Sequence, residues 1–324
     1  MTELRTGVVG VGHLGRFHAQ KYARISQLQG LYDTDIERAH SVAQELGCRA
    51  YDDLETLLGE VDAISIVTPT LHHHRVAKAA IARGIHCLVE KPFTFTLEEA
   101  DDLIQQAKAQ GAILAVGQIE RAQIVMQHLR SQGFPPPRYI EAERLAPFKP
   151  RSLDVDVIMD LMIHDLDLVL MLGNSSLQEV RAVGVAAVTE QADMANAWVT
   201  LSNGSVANLA ASRVVREAVR RMRIFWPDRY ASVDFLQNRL TFYRRGAGQV
   251  PGIPGVKEEV IDLQPVDALD HEISAFLDAI SGHGKVLCQA EEGRDALAAA
   301  LAVRHAVAEF LAVSSHAAQF KGEQ

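Results

Sequence analysis

Cysteine is scarce: Cys48, Cys87 and Cys288 are the only three in 324 residues. The count is odd and no Cys-x-x-Cys occurs, which excludes a disulfide framework or a zinc knuckle as the organising device. Cys87 falls in the apolar run "IHCLVE", where a small buried thiol is expected. A reducing, cytoplasmic setting fits. No basic run exists and the net charge is −9, which argues against nucleic acid as a partner. No eighteen residues in a row are apolar, so no membrane span is expected. The start, "MTELRTGVVGVG", lacks the basic opening and long apolar stretch of a signal peptide.

What is present is a large hydrophobic fraction, 48%, in a chain long enough for two domains. Up to about residue 120, short apolar runs at 5–11, 28–33, 63–68, 85–90 and 112–117 alternate with amphipathic segments. Among these segments are Phe17–Ile25, Asp35–Leu46, His72–Arg83 and Leu97–Gln110. Fully apolar strands alternating with helices predict a parallel sheet covered on both faces. Three prolines, Pro135 to Pro137, open a different region. There "SNGS", "WPDR", "LQNR" and "RRGAGQVPGIPG" separate strand-like runs and predict a mainly antiparallel sheet. Two helices, near 268–280 and 290–312, close the chain. The expected fold is α/β: a doubly wound Rossmann domain over 1–120, then an α+β domain with an open sheet over 121–324.

"GVVGVGHLGRFHA" spaces Gly10, Gly12 and Gly15 as G-x-G-x-x-G between a strand and a helix. Asp33 follows at the end of the second strand. This context reads as a dinucleotide site. Gly10 permits the turn, Gly12 lets the backbone approach a pyrophosphate, and Gly15 packs helix on strand. His13 and Leu14 lie at the helix start that would receive the phosphates. Asp33 would accept from the adenosine ribose hydroxyls and repel a 2′-phosphate, so NAD is favoured over NADP. His18 is read as a helix residue without function. "VTPTLHHH" puts Thr68 and Pro69 at a strand's carboxyl end, where such sheets bind ligands. His72, His73 and His74 look like a metal tract, but consecutive helical residues diverge and do not converge on one ion. No metal is expected there, and His72 is placed near the nicotinamide side.

Two further motifs carry chemistry. "VEKPF" ends the fifth strand with Glu90, Lys91 and Pro92, and "DLMIHDLDLVLMLG" runs from Asp160 to Gly173. On an α-helix Asp160, His164 and Asp167 fall within about 60° of one another, a polar stripe on an apolar helix. Asp165 lies away from that stripe, without an assigned role.

The glycine fingerprint, the strand-end E-K-P and the D-x-x-x-H helix, in this order over essentially the whole chain, resemble the glucose–fructose oxidoreductase / inositol dehydrogenase / MocA (Gfo/Idh/MocA) family. The resemblance implies oxidation or reduction of a secondary carbinol with NAD. Glu90 and Lys91 would border the cofactor, with a bend at Pro92, often cis in this family, aiming Lys91 beside the nicotinamide. Lys91 can stabilise the developing alkoxide. His164 can accept the hydroxyl proton, and Asp160 can orient the imidazole. Asp167 reads as a structural partner.

The family mostly handles sugars, inositols and sugar nucleotides. "IEAERLAPFKPRSLDVDVIMDLMIHDLDLVL" (140–170) resembles a subgroup that includes UDP-N-acetylglucosamine 3-dehydrogenases. "VGQIERAQ" departs from it, with Gln118 in place of His and Ala122-Gln123-Ile124 in place of Phe-Asn-Pro. Gln118, Arg121, Arg144 and Arg151 are the candidate substrate contacts, the arginines for an anionic portion such as a diphosphate. The alternatives are a free sugar or inositol as substrate, other chemistry on the same fold, or a non-catalytic NAD-binding regulator. Such an open sheet is usually covered by a second subunit, so a homodimer or homotetramer is expected.

Overall fold

The computed structural model describes residues 4–148, 155–250 and 253–319. The chain divides into two compact units: Met1–Ala122 with Asp267–Leu297, and Gln123–Val266 with Ala298–Gln324.

In the first unit the elements are β1 (Arg5–Val9), α1 (His13–Ile25), β2 (Gln27–Tyr32), α2 (Ile36–Leu46), β3 (Arg49–Ala50), α3 (Leu54–Leu58), β4 (Ala63–Ile66), α4 (His73–Ile81), β5 (His86–Glu90), α5 (Leu97–Gln110) and β6 (Leu114–Gly117). All strand pairs are parallel, in the order β3-β2-β1-β4-β5-β6. The order reverses between β1 and β4, the switch point at which such sheets bind ligands. Helix ends are set locally. The Asp35 side chain accepts from Arg38 N and starts α2, and Thr96 and Glu99 form a capping box on α5.

Successive strand residues point to opposite faces and so divide the core. Val9, Ile64, Ile66, Cys87 and Val89 pack with Leu57, Val76, Ala80 and Leu103 on one side. On the other, Val8, Leu31, Ala63 and Leu88 pack with Ala19, Tyr22 and Ala39.

The second side corrects the expected contiguous division. Helix α8 (Ala268–Ile280) belongs to the first unit: its Leu269, Ile273, Phe276 and Leu277 complete that cluster. Ion pairs Lys21–Asp267 and Arg24–Asp270 fasten it beside α1. An apolar stripe shows that a helix must cover something, but not which sheet.

The second unit holds α6 (Ile124–Ser131), β7 (Tyr139–Leu145), a π-helical turn (Ile158–Met162), α7 (Ile163–Gly173), β8 (Leu177–Val185), β9 (Met194–Leu201), β10 (Val206–Ser212), β11 (Val219–Phe225), β12 (Arg229–Asp234), β13 (Arg239–Val250) and β14 (Ile253–Asp262). The sheet order is β14-β13-β12-β11-β7-β10-β9-β8, antiparallel except for β7 with β10. One face is buried, with Ile140, Ala142, Val199, Leu209, Met222, Ile224 and Phe242 nearly inaccessible. The other face carries an aromatic row, Trp198–Tyr139–Phe225–Tyr230–Tyr243, with successive ring centroids 6.0, 5.8, 5.3 and 4.3 Å apart.

The last helix, α9 (Ala290–Gln319), begins in the first unit and continues in the second. Ala290–Val313 is long and apolar enough to cross a membrane by length and composition alone, although charged residues interrupt it. Its Ala296, Leu297, Ala299, Ala300 and Val303 are fully buried, on one stripe of a helix whose apolar window is 33% buried.

Candidate active site

The nucleotide end is built on the switch point. Gly10 has φ +87°, and a Cβ there would meet the Val67 carbonyl oxygen at 2.7 Å. A Cβ on Gly15 would lie 1.9 Å from the Gly10 carbonyl oxygen, so the helix approaches the turn only because no side chain intervenes. At Gly12 a Cβ would meet nothing closer than Arg38 Nη1, at 3.8 Å, which leaves an open cradle. No side chain caps α1 and its first turn holds no acid, so its leading amides and partial positive charge are available to an anion.

A cavity of about 370 Å³ adjoins this turn, lined among others by Gly10, Gly12, Asp33, Thr68, Pro69 and His72. Asp33 is 7% exposed, and its carboxylate accepts from Val11 N (2.7 Å) and Asp35 N (2.9 Å). That fixes its direction and leaves lone pairs for a ribose diol. Thr68 Oγ1 is buried without a hydrogen-bond partner among the described residues. A fixed carboxylate, an unused hydroxyl and an open glycine cradle are what a dinucleotide requires, so the residues fit NAD. Tyr32, Thr34, Arg38 and Arg75 also line the cavity, and no motif marks them in the sequence. The only sequence signal for Arg38 was its place on the polar face of α2.

His13 and Leu14 carry the leading amides of α1. Leu14 is 38% exposed, and His13 meets Phe17 edge-on at 5.2 Å. Gly15 is packing rather than lining. Glu90 is corrected. It is buried, with Oε1 3.1 Å from His18 Nε2 and Oε2 accepting from Lys91 N at 3.2 Å. Gly117 makes room for it, since a Cβ there would meet Glu90 Oε1 at 2.8 Å. Glu90 thus braces the turn that presents Lys91, which is half-buried beside the cis Lys91–Pro92 bond. His18 is also re-read: it is fully buried, and its Nδ1 lies 3.0 Å from Ser65 Oγ.

The three consecutive histidines go to three places. His72 lines the cavity. His73 is 1% exposed, with Nε2 at 2.8 Å from Thr68 O and Nδ1 at 3.0 Å from Pro92 O. His74 Nε2 meets Asp102 Oδ2 at 2.6 Å. Hydrogen bonds from His74, Lys78 and Gln106 hold the Asp102 carboxyl down at about 2.

In the second unit, Asp160 lies in the π-helical turn and His164 in the first turn of α7. The sequence geometry assumed an α-helix throughout. The wider turn is a feature that recurs at functional sites. Its start is fixed by Asp156, whose Oδ1 accepts from Ile158 N (3.0 Å) and Met159 N (2.9 Å). Arg213 adds an anchor: Nη1 donates to Val155 O at 2.7 Å and Nε to Asp193 Oδ1 at 2.9 Å. Burial would raise the Asp193 carboxyl. The Thr189 and Val188 amides and the Arg213 guanidinium outweigh it and hold the group well below the usual carboxylate range. His164 is 9% exposed and Asp167 fully buried.

Two arginine assignments are corrected. Arg144 sits on the inward face of β7 and forms a buried bidentate pair with Asp165, at 2.9 and 2.8 Å. With side chains 3% and 5% exposed, this gives Asp165 its role and commits Arg144 to it. Arg121 is 2% exposed, donates to Leu287 O at 3.0 Å and pairs with Glu292 at 2.8 Å. It stitches the first unit to its returning C-terminal segment. Gln118 is 1% exposed, and its Oε1 has no hydrogen-bond partner among the described residues. Arg151 lies outside the described residues.

Residues 4–118 match the family model described as oxidoreductase family, NAD-binding Rossmann fold, and residues 104–227 match the GFO/IDH/MocA C-terminal domain. The chain is 64% identical over 311 residues to the UDP-N-acetylglucosamine 3-dehydrogenase of Acidithiobacillus ferrooxidans, spanning 96% of this chain and 99% of that one. A solved structure of that enzyme superposes with TM-score 0.94, again over 96% and 99% of the two chains at 64% identity. The scyllo-inositol dehydrogenase of Lactobacillus casei shares the fold, with TM-score 0.78 at 20% identity over 95% and 98% of the chains. The chain belongs to the GFO/IDH/MocA family and is an oxidoreductase with an NAD-binding Rossmann domain.

Proposed function

We propose that the chain oxidises the 3-hydroxyl of UDP-N-acetylglucosamine, with NAD as hydride acceptor. The observation that carries this reading is the 64% identity maintained over 99% of the A. ferrooxidans enzyme's length. Bound at the glycine turn and Asp33, NAD would supply the two-electron acceptor. The protein's own groups manage the rest. His164 takes the hydroxyl proton as the carbinol hydrogen leaves with its electron pair, and the product is a ketone. Asp160 orients the imidazole and offsets its charge. Lys91 donates to the same oxygen and stabilises the alkoxide character that develops there. Gln118 supplies an acceptor or a donor for a sugar hydroxyl or amide. With Arg121 and Arg144 committed to acids, Arg151 is the arginine assigned to the diphosphate.

A second copy of the chain is the expected cover for the exposed sheet face, where Trp198 is 46% and Val185 50% exposed. Light scattering that returns a monomer would refute this. Three free thiols suit a reducing cytoplasm. The substrate test incubates the protein and NAD with UDP-N-acetylglucosamine, free N-acetylglucosamine and myo-inositol, following NADH. NADH from the nucleotide sugar alone is expected. An equal or faster rate with inositol or the free sugar would overturn the reading.

A further inference from the structure

The E-K-P turn is held from two sides by buried histidines that the mechanism does not use. On one side His18 Nε2 meets Glu90 Oε1 at 3.1 Å, and Glu90 Oε2 receives the Lys91 amide at 3.2 Å. On the other side His73, the first residue of α4, sits between two chain segments. Its Nδ1 faces the Pro92 and Phe93 carbonyl oxygens at 3.0 and 3.3 Å, and its Nε2 faces the Thr68 carbonyl oxygen at 2.8 Å. Thr68 lines the nucleotide cavity, and Pro92 follows Lys91. One imidazole therefore lies between the cofactor wall and the turn that carries the proposed alkoxide donor.

Carbonyl oxygens only accept, so each bond needs a hydrogen on the ring nitrogen. Burial is the main influence on this imidazole and holds its pKa below the ordinary value, so the ring is neutral at neutral pH and carries one N–H. Two oxygens crowd Nδ1 and one faces Nε2. A hydrogen on Nδ1 leaves the fewest oxygen lone pairs opposed to a bare ring nitrogen.

We propose that His73 is a positioning residue for the hydride-transfer reaction: its Nδ1–H, donated to the Pro92 carbonyl, sets the Lys91 turn. This rests on Lys91 having the role proposed above. The two contacts separate by substitution, because an asparagine amide nitrogen replaces Nδ1 and a glutamine amide nitrogen replaces Nε2.

The test compares His73→Asn, His73→Gln and Lys91→Ala by kcat with UDP-N-acetylglucosamine and by NAD affinity from fluorescence titration. The ring tautomer of His73 in the native protein is read from imidazole nitrogen NMR. His73→Gln should lower kcat roughly 10- to 100-fold, as expected for a misplaced catalytic group, with NAD affinity kept. His73→Asn, which keeps a donor at the Nδ1 position, should restore kcat relative to His73→Gln, again with NAD affinity kept. A merely structural histidine would move both quantities together in both variants, and that result overturns the proposal. The NMR reading stands even if neither variant folds: a hydrogen on Nε2 with Nδ1 bare also overturns it. Full activity in Lys91→Ala would remove the lysine's role and the positioning claim with it. A native enzyme inactive on the nucleotide sugar would remove only the substrate reading, since the tautomer and the NAD titrations would still decide the role of His73.

Discussion

The buried Arg144–Asp165 pair offers the most quantitative test of how the His164 helix is held. Both partners are almost fully buried and joined by two parallel hydrogen bonds. Removing two charges from water costs several kcal/mol each, and the pair recovers this only while both members are present. Asp165→Ala leaves the Arg144 charge without its bidentate carboxylate and should cost about 3–5 kcal/mol. For a unit of this size each kcal/mol is worth roughly 2–4 °C in Tm, so the transition reporting the second unit should fall by roughly 6–20 °C. Asp165→Asn keeps the shape and loses the charge, and should recover only part of that loss. The double variant Arg144→Met/Asp165→Leu replaces the pair with apolar side chains and should lie close to native stability. Differential scanning calorimetry of the four proteins measures each shift. A loss under about 1 kcal/mol in Asp165→Ala, or a double variant as unstable as the single ones, would refute the reasoning.

Three other outcomes are expected. Gly15→Ala would place its Cβ 1.9 Å from the Gly10 carbonyl oxygen, so it should abolish NAD binding in a titration and lower Tm. Asp33→Ser removes a carboxylate that lies 3.8 Å from Arg38 Nη1, and the kcat/KM ratio of NADP to NAD should rise. The rise should be at least about tenfold, since unit charges about 4 Å apart interact by about 4 kcal/mol at an effective dielectric of 20. The Asp193 carboxyl is held below its unfolded value, so its contribution is complete above that value and is lost as pH falls through the folded one. Urea unfolding should therefore show the gap between native and Asp193→Asn closing as pH drops from about 5 toward about 2.

The parts of the molecule legible in the sequence are those that depend on neighbours in the chain. The G-x-G-x-x-G turn and the acid ending β2 are local patterns, and each appears where it is expected. The three histidines diverge as helical geometry requires. What the sequence does not reveal is pairing across long separations. Arg144 and Asp165, or Arg121 and Glu292, look like unattached charges until the fold brings them together. The return of α8 to the first sheet was hidden for the same reason. The π-helical turn at Asp160 has no periodic signature, and His18 and His73 resemble ordinary helix polarity until the carbonyls and carboxylate around them are seen.

The central claim is that hydride leaves C3 of the sugar in UDP-N-acetylglucosamine. The most direct measurement supplies that nucleotide sugar with deuterium at C3 and analyses the reduced cofactor and the product by mass spectrometry. Deuterium transferred to the nicotinamide, with a ketone at C3 of the sugar, is the predicted result. Reduced cofactor without deuterium, or a product that keeps it at C3, would contradict the account.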